Sequence, residues 1–578
     1  MMRKLLLAAL SLGLAACDAT EQPDKTSAEI VNDVADRYYA WQLSTSPESA
    51  YFAGIEPERH DGLHDNSPAA LADAWHMEDG LLADIEAVDV TALAGRPEWV
   101  TYVLLDQQLR SAVELRVCRR DLWDVNQMGG WHLAYSQVAG LQPVDTADLR
   151  QQALARWSRY AAYIDQATAN LEAGIANGYS APQSVVRRVV AQLDGALALA
   201  TRDSPYFSMA SRAGDEAFAA RIAALIDDEI YPALRRHRDY LADDYLSAAR
   251  SQLSVTSNPD GAACYEAMLQ SYTTLDRSGK AVYELGTQVV AANKADVVEI
   301  GKTAYGLDDF ASILEAAKAD PQDRFADAEE LLAFARKTVE RAEAQMPKWV
   351  GRMPSQPAAV VPFPEHEEGT GRSARYESGT DERPGQYRIP LYKAEEQSRG
   401  NAEAVAFHEV WPGHHLQVAA ARGQGEMHRV SELLWFSGPG EGWGRYAEAL
   451  AEEMGLYTTR SGPILRRAWP ARGMVVDPGI HLFGWTREQA VSFMMEAGRF
   501  PAEQADAMVD RIAILPGQLT AYDSGALEIV ALRREAEAAL GDDFDIRAFH
   551  DRVLEHGTIP LTYLREHVES WIESESQQ

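Results

Sequence analysis

The chain has 578 residues, with 87 acidic against 54 basic side chains and a formal net charge of −33 at pH 7. No basic block offsets that charge, which excludes nucleic acid as a natural partner, because phosphate binding needs clustered Lys and Arg. At 46% hydrophobic the sequence can bury a large core, and its length allows two to four ordinary domains or one large helical body.

Residues 1–16 are not part of the fold. Arg3 and Lys4 precede an apolar run from Leu5 to Leu14, about ten residues and too short to span a bilayer. Leu14-Ala15-Ala16-Cys17 follows, and the whole resembles a bacterial lipoprotein signal. That resemblance implies cleavage before Cys17, a lipid on that cysteine, and an exported protein anchored to a bacterial membrane and facing the periplasm. Loss of Arg3 and Lys4 takes the net charge from −33 to −35. Residues 17–27 are polar and read as a flexible tether, leaving 28–572 as a single large helical unit. The two remaining cysteines, Cys118 and Cys264, can pair in an oxidising compartment, although sequence does not place their Cα atoms.

From residue 28 onward the pattern is mainly helical. Segments 28–43, 68–87, 147–177, 181–200 and 214–249 carry apolar residues at three- and four-residue steps. Segments 277–304, 323–349, 400–422, 441–455, 487–499 and 525–540 do the same. Residues 351–393 differ, being rich in Pro and Gly with two strand-like runs, 359–363 and 386–392. Their prolines point to edge strands, and an edge strand can pair with an extended peptide. The expected fold is mainly α, with a small β element near residues 358–393.

The densest chemistry lies at 407–417, Phe-His-Glu-Val-Trp-Pro-Gly-His-His-Leu-Gln. Three of the chain's 14 histidines, His408, His414 and His415, fall within this stretch, and Glu409 directly follows the first. Imidazoles that hold a metal beside a carboxylate that takes a proton from water are the parts of a zinc hydrolase. The familiar motif places its second histidine four residues after the first, on the same helical face. Here that position is Pro412. In an unbroken helix His414 would stand about 9 Å along the axis and about 240° round, and His415 about 10.5 Å along. Neither would share a metal with His408, since zinc–nitrogen bonds are only about 2.0–2.1 Å long. Pro412 clashes with the His408 carbonyl and Gly413 relaxes the backbone, so a bulge or break at 411–413 would bring His414 beside His408.

A third ligand is expected from Glu441, which follows Pro439-Gly440, opens a helical pattern and lies 27 residues after His414. Two histidines, one glutamate and an open position make a catalytic rather than a structural zinc site. His-Glu-x-x-Pro-Gly-His-His-x-Gln, followed by Glu441-Gly442-Trp443-x-x-Tyr446-x-Glu448, resembles the bacterial family named domain of unknown function 885. So do Asp477-Pro478-Gly479-Ile480-His481, Pro516-Gly517-Gln518 and the run 544–550. More distantly the pattern is similar to gluzincin metallopeptidases, which implies a helical body split by a deep cleft or channel with zinc on its wall. The two-residue insertion departs from those enzymes and leaves His415 as the alternative second ligand.

The expected roles follow. His408, His414 and Glu441 hold one Zn²⁺, although the donor set also suits Mn²⁺, Co²⁺ or Fe²⁺. Glu409 is the general base. Tyr522 and His481 are the candidate donors to an oxyanion, because the related peptidases use tyrosine or histidine there. Gln417 and Glu448 can orient a ligating imidazole, and Arg383, beside the strand region, can hold a peptide carboxylate. The function expected is hydrolysis of peptide bonds, in short peptides by analogy. The rivals are hydrolysis of a non-peptide amide or ester, and a non-catalytic metal-binding scaffold lipoprotein.

Overall fold

The computed structural model describes residues 25–365, 368–369, 372–380, 383–422 and 427–577, and the lipid-bearing cysteine expected at position 17 lies outside them. The first helix, Ser27–Thr45, starts from a reciprocal cap: Thr26 accepts from the Glu29 amide, and Glu29 accepts from the Thr26 amide at 2.8 Å. Val31, Val34, Ala35, Tyr38 and Tyr39 then recur at helical steps and are buried. Helix accounts for 70% of the chain and strand for one small sheet, which makes the fold mainly α.

Several expected helices are subdivided. Segment 147–177 divides into Ala147–Trp157 and Tyr160–Ala176. Segment 214–249 contains two π-type stretches, Ile226–Ile230 and Tyr240–Tyr245. Further helices form at Glu98–Leu115, Gly261–Thr273, Ala502–Ile514 and Leu561–Glu575, outside the segments expected to be helical. Cys118 and Cys264 form a disulfide with Cα atoms 4.7 Å apart, tying the end of the Glu98–Leu115 segment to helix Gly261–Thr273. Among the described residues no helix is long and apolar enough to cross a membrane.

The sheet has three strands, β1 (Ala358–Pro362), β2 (Arg375–Glu377) and β3 (Gly385–Ile389), in the order β1-β3-β2. β1 runs parallel to β3, and β2 runs antiparallel to it with Tyr376 opposite Tyr387. The sequence places both recognised strands at edges. β3 is instead central, because Pro384 and Pro390 fall just outside it and cost the ladder no donor. Gly385, Tyr387 and Ile389 alternate inward. β2, which the sequence did not suggest, is the edge strand that lies against the histidine segment.

Two large apolar clusters organise the described residues. One is built from residues 125–249 with Ile514 and is rich in aromatic contacts such as Trp157 against Tyr160, 5.3 Å apart and nearly perpendicular. The other joins N-terminal helices, sheet and C-terminal helices through Val103, Tyr387, Phe407, Leu450, Leu532 and Phe549. Phe407 and Val410 are fully buried in it and flank His408 and Glu409 in sequence. The chemical segment is therefore anchored to the main core and not carried on a surface loop.

Candidate metal centre

The first histidine sits on helix Arg399–Glu409, which Ser398 caps by accepting from the Asn401 amide at 3.1 Å. That helix stops at Val410 (φ −118°, ψ −91°) because Pro412 cannot continue it. The Trp411–Pro412 peptide is cis, and helix resumes at His414–Arg422. The interruption is thus a complete break over 410–413, larger than a bulge. Gly413 is required there: a Cβ on it would lie 1.8 Å from the His408 carbonyl oxygen. The Trp443 indole N–H donates to the carbonyls of Pro412 (2.8 Å) and Gly413 (3.2 Å), satisfying groups the break would orphan. His408 and His414 end with ring centroids 4.7 Å apart at 89°.

Glu441 comes from helix Ser437–Glu453, which begins four residues earlier than the pattern suggests and holds Glu441 inside its second turn. The early start follows from packing. Gly442 meets Gly525 of helix Ala521–Leu540 so closely that a Cβ would lie 2.6 Å from the Gly525 Cα. Close backbone contact there offsets the helix propensity that glycine forfeits, about 1 kcal/mol per residue. Gly444 has a second purpose, since a Cβ there would lie 2.6 Å from His408 Cε1 and 2.7 Å from Nε2. The imidazole lies directly over the bare glycine.

His408 Nε2 is 3.3 Å and His414 Nε2 is 3.6 Å from Glu441 Oε2, and the three ligand atoms all lie within 4.8 Å of one another. Donors bound tetrahedrally at about 2.0–2.1 Å stand about 3.4 Å apart, so the spacing fits one small divalent cation. The tautomers fit as well. His408 Nδ1–H donates to Glu448 Oε1 at 3.0 Å, leaving the Nε2 lone pair free for metal. Gln417 donates its amide N–H to the Pro439 carbonyl (3.1 Å), which turns its Oε1 toward His414 Nδ1 at 3.4 Å and frees that Nε2 too. His415, the alternative ligand, has both ring nitrogens engaged elsewhere. Its Nε2 donates to the Gln356 carbonyl (3.1 Å) and its Nδ1 accepts from the Tyr376 hydroxyl (3.0 Å).

Charge organisation supports a cation. Burial alone would lower the His408 imidazole, but its hydrogen bonds to Glu441 and Glu448 outweigh that and push it up to about 10, so without a metal Nε2 holds a proton that a bound cation would displace. Burial would raise Glu441, yet His408 and His414 hold it well below the usual carboxylate range. Glu448, whose burial is overcome chiefly by the Arg445 guanidinium, is lowered to about 2. Arg445 Nη1 donates to both Glu448 oxygens at 2.8 and 2.7 Å, and its Nε lies 3.3 Å from Asp523. An Asp523–Arg445–Glu448–His408 chain thereby fixes the first imidazole from behind.

The cluster opens into a cavity of ≈ 750 Å³. Glu409 lines it, with Oε2 accepting from the Tyr376 amide of β2 at 2.8 Å. Burial pushes the Glu409 carboxyl up, opposed by His408 and His414 and reinforced by Glu441. Tyr522 also lines the cavity, its ring 6.4 Å from that of His408. Burial and then Glu441 raise its phenol, so the hydroxyl keeps its proton at neutral pH and can donate.

His481 is not at the cavity, which corrects the expectation placed on it. It ends helix Gly473–His481 fully inside the protein, with Nδ1 accepting from the Val255 amide (3.1 Å) and Nε2 donating to the Ile512 carbonyl (3.1 Å). Burial lowers it to about 3, so it is a neutral ring with no donor left for substrate. Arg383 also turns away from the cavity, donating to the Ser378 carbonyl at 2.8 Å and lying 3.7 Å from Glu377. Sequence reasoning missed Tyr387 of β3, which lines the cavity within electrostatic reach of Glu409, and missed Arg499 and Arg511 on the same wall.

Fold and site together define a mainly α-helical protein whose interior holds a His-His-Glu set suited to a metal ion. The chain belongs to the family described as bacterial protein of unknown function (DUF885), whose model matches residues 47–568. No curated protein matches it. It is similar in structure to a Colwellia psychrerythraea protein described as a candidate lipoprotein, with 22% identity, TM-score 0.85, and coverage of 95% of this chain and 100% of that one. It is also similar to a Shewanella oneidensis protein described as a candidate lipoprotein of unknown function, with 21% identity, TM-score 0.77, and coverage of 94% and 99%. At these identities the likeness is one of fold. A candidate oligoendopeptidase F of Bacillus anthracis str. Ames aligns at 12% identity over 88% of this chain and 97% of that one, with a TM-score of 0.29 that has no bearing on activity.

Proposed function

We propose that this protein is a zinc-dependent hydrolase that cleaves peptide bonds in short peptides, with residues 28–572 as one catalytic unit. The observation that carries this reading is Glu409, a cavity-lining carboxylate one residue from a metal ligand and held by a β2 amide. A passive metal binder has no use for a buried carboxylate at that place, whose desolvation costs free energy.

When bound, Zn²⁺ supplies Lewis acidity, which acidifies water and polarises a carbonyl. His408, His414 and Glu441 would hold it. Glu409, its carboxyl raised by burial, takes a proton from the attacking water and passes it to the leaving nitrogen. Tyr522 donates its hydroxyl to the oxygen on which negative charge develops. β2 is an edge strand beside the cluster, and although its Tyr376 amide serves Glu409, the rest of that edge is open to an extended chain, which favours a peptide over a compact amide or ester.

The resemblance of residues 1–17 to a lipoprotein signal, together with similar proteins described as candidate lipoproteins, supports a lipid anchor on Cys17 and a place in the cell envelope facing the periplasm. The Cys118–Cys264 disulfide suits such an oxidising compartment. The test is digestion of a mixed short-peptide library by zinc-loaded protein, with and without chelator, beside Glu409→Gln. We expect the parent to cleave peptides, the chelator to abolish cleavage, and Glu409→Gln to keep its metal while losing at least about 100-fold in rate. Undiminished cleavage by Glu409→Gln would remove the mechanism.

A further inference from the structure

Five arginines line the wall of the cavity, in a chain whose acids outnumber its bases by 87 to 54. Three are neutralised on the spot. Arg375 lies 3.0 Å from Glu377, Arg445 is paired with Glu448 and Asp523, and Arg466 is paired with Glu452. Arg499 and Arg511 are different, because among the described residues neither has a carboxylate within ion-pair distance. The Arg511 guanidinium donates to the Gln518 side-chain oxygen at 2.6 Å and reaches the Tyr522 hydroxyl. The Arg499 guanidinium lies over the rings of Phe500 (5.4 Å) and Trp469 (5.9 Å) and exposes itself to the cavity. Glu448 and Asp523 act on Arg499 only from beyond ion-pair distance, so both guanidinium groups keep donors open to an anionic ligand.

Their position tells which part of a ligand they meet. Both come from the stretch between helix Arg487–Met495 and Tyr522, Arg499 just before helix Ala502–Ile514 and Arg511 within it. They approach the histidine cluster through Tyr522, whose ring stands over His408, whereas β2 approaches it through Glu409. A chain laid along β2 and across the cluster would bring its far end to the two arginines. A planar guanidinium matches a carboxylate in shape as well as charge.

Resting on the peptide-hydrolase reading, we infer that Arg499 and Arg511 form a carboxylate subsite, so that the substrates are short peptides bearing a carboxylate beyond the cleaved bond. Two sources share that chemistry: the free C-terminus and an Asp or Glu side chain. A free C-terminus limits the length of substrate on that side.

The test uses the zinc-loaded full chain and three versions of one cleavable peptide: free C-terminus with neutral side chains, the same peptide as its C-terminal amide, and the amide with a glutamate near its end. We expect kcat/KM for the peptide with a carboxylate source to exceed that for the neutral amide by about tenfold or more, equivalent to about 1.4 kcal/mol. The version that recovers activity identifies which carboxylate is read. Arg499→Gln should shrink the ratio to about twofold by raising KM for the carboxylate peptide, and Arg499→Lys should retain part of it. The parent comparison needs no variant and stands even if a substitution unfolds the protein. Calorimetric binding of the same peptides to zinc-loaded Glu409→Gln gives a readout without turnover, with carboxylate peptides expected to bind about tenfold tighter. Equal cleavage of all three peptides overturns the subsite and leaves the hydrolase reading intact. Tighter binding of carboxylate peptides without cleavage keeps the subsite and overturns hydrolysis. Neither binding preference nor cleavage overturns both.

Discussion

Glu448 gives the sharpest test of the proposed chemistry, because it is not itself a metal ligand and yet sets the tautomer of one. It accepts from His408 Nδ1 at 3.0 Å while Arg445 holds both its oxygens. Glu448→Gln keeps the shape and removes the charge. A hydrogen bond to a charged group contributes about 1.5–3 kcal/mol and a neutral one about 0.5–1.5, so the change is about 1–1.5 kcal/mol. That corresponds to about 5- to 12-fold weaker zinc binding. Arg445 retains Asp523 at 3.3 Å, so the substitution does not strand a buried cation. Glu448→Ala leaves Nδ1–H without an acceptor and should cost about 10- to 100-fold. Gln417→Ala should cost less, because its 3.4 Å contact is long. The assay is zinc competition against a chromophoric chelator at neutral pH, with circular dichroism to establish folding. A folded Glu448→Gln protein that binds zinc within about twofold of the parent would refute the positioning role.

Three other outcomes are expected. Gly444→Ala places a Cβ 2.6 Å from the His408 ring, so zinc affinity should fall at least about 100-fold while the helix keeps its stability; a variant with parental zinc affinity would contradict the geometry. Burial pushes Asp477 up to about 7, only partly offset by the Gly517 amide and the Tyr265 hydroxyl. A folded-state value above the unfolded ~3.9 gives stability that is present below about pH 4 and lost as pH rises through 7, roughly 4 kcal/mol in all. The melting temperature of Asp477→Asn should therefore gain on the parent's between those limits, and a constant gap would contradict the shift. Reduction of Cys118–Cys264 should cost about 2–5 kcal/mol, and peptide mapping without reductant should recover the cross-linked pair rather than two free thiols.

The parts of this protein legible in its sequence are those where local chemistry has few solutions. A proline four residues after a histidine forces a helix to stop, and a following glycine permits the close turn, so the break after His408 follows from backbone sterics, while the choice between His414 and His415 stays open in the sequence. Glu448 and Gln417 are legible only as candidates, since a ligating imidazole needs a partner for its second nitrogen but a solvated helical position gives the same pattern. Elsewhere the deciding contact is distant. β2 is three residues long and acquires its identity only by pairing with β3. The early start of helix Ser437–Glu453 depends on glycines that read as breakers until Gly525 packs against Gly442. His481 carries the right residue type, but both its nitrogens are consumed by backbone groups of residues 255 and 512, which no local pattern reveals. Arg499 and Arg511 look like solvated helical arginines in the sequence; only the folded wall shows them lining the cavity without a direct ion pair.

The most direct measurement is zinc stoichiometry by elemental analysis of the purified, dialysed chain and three single variants. One ion per chain is expected in the parent, in Glu409→Gln and in His415→Ala, with loss of the ion in His414→Ala. A parent that carries no ion, or a His414→Ala protein that retains a full equivalent, would contradict the assignment of His408, His414 and Glu441 as the metal ligands.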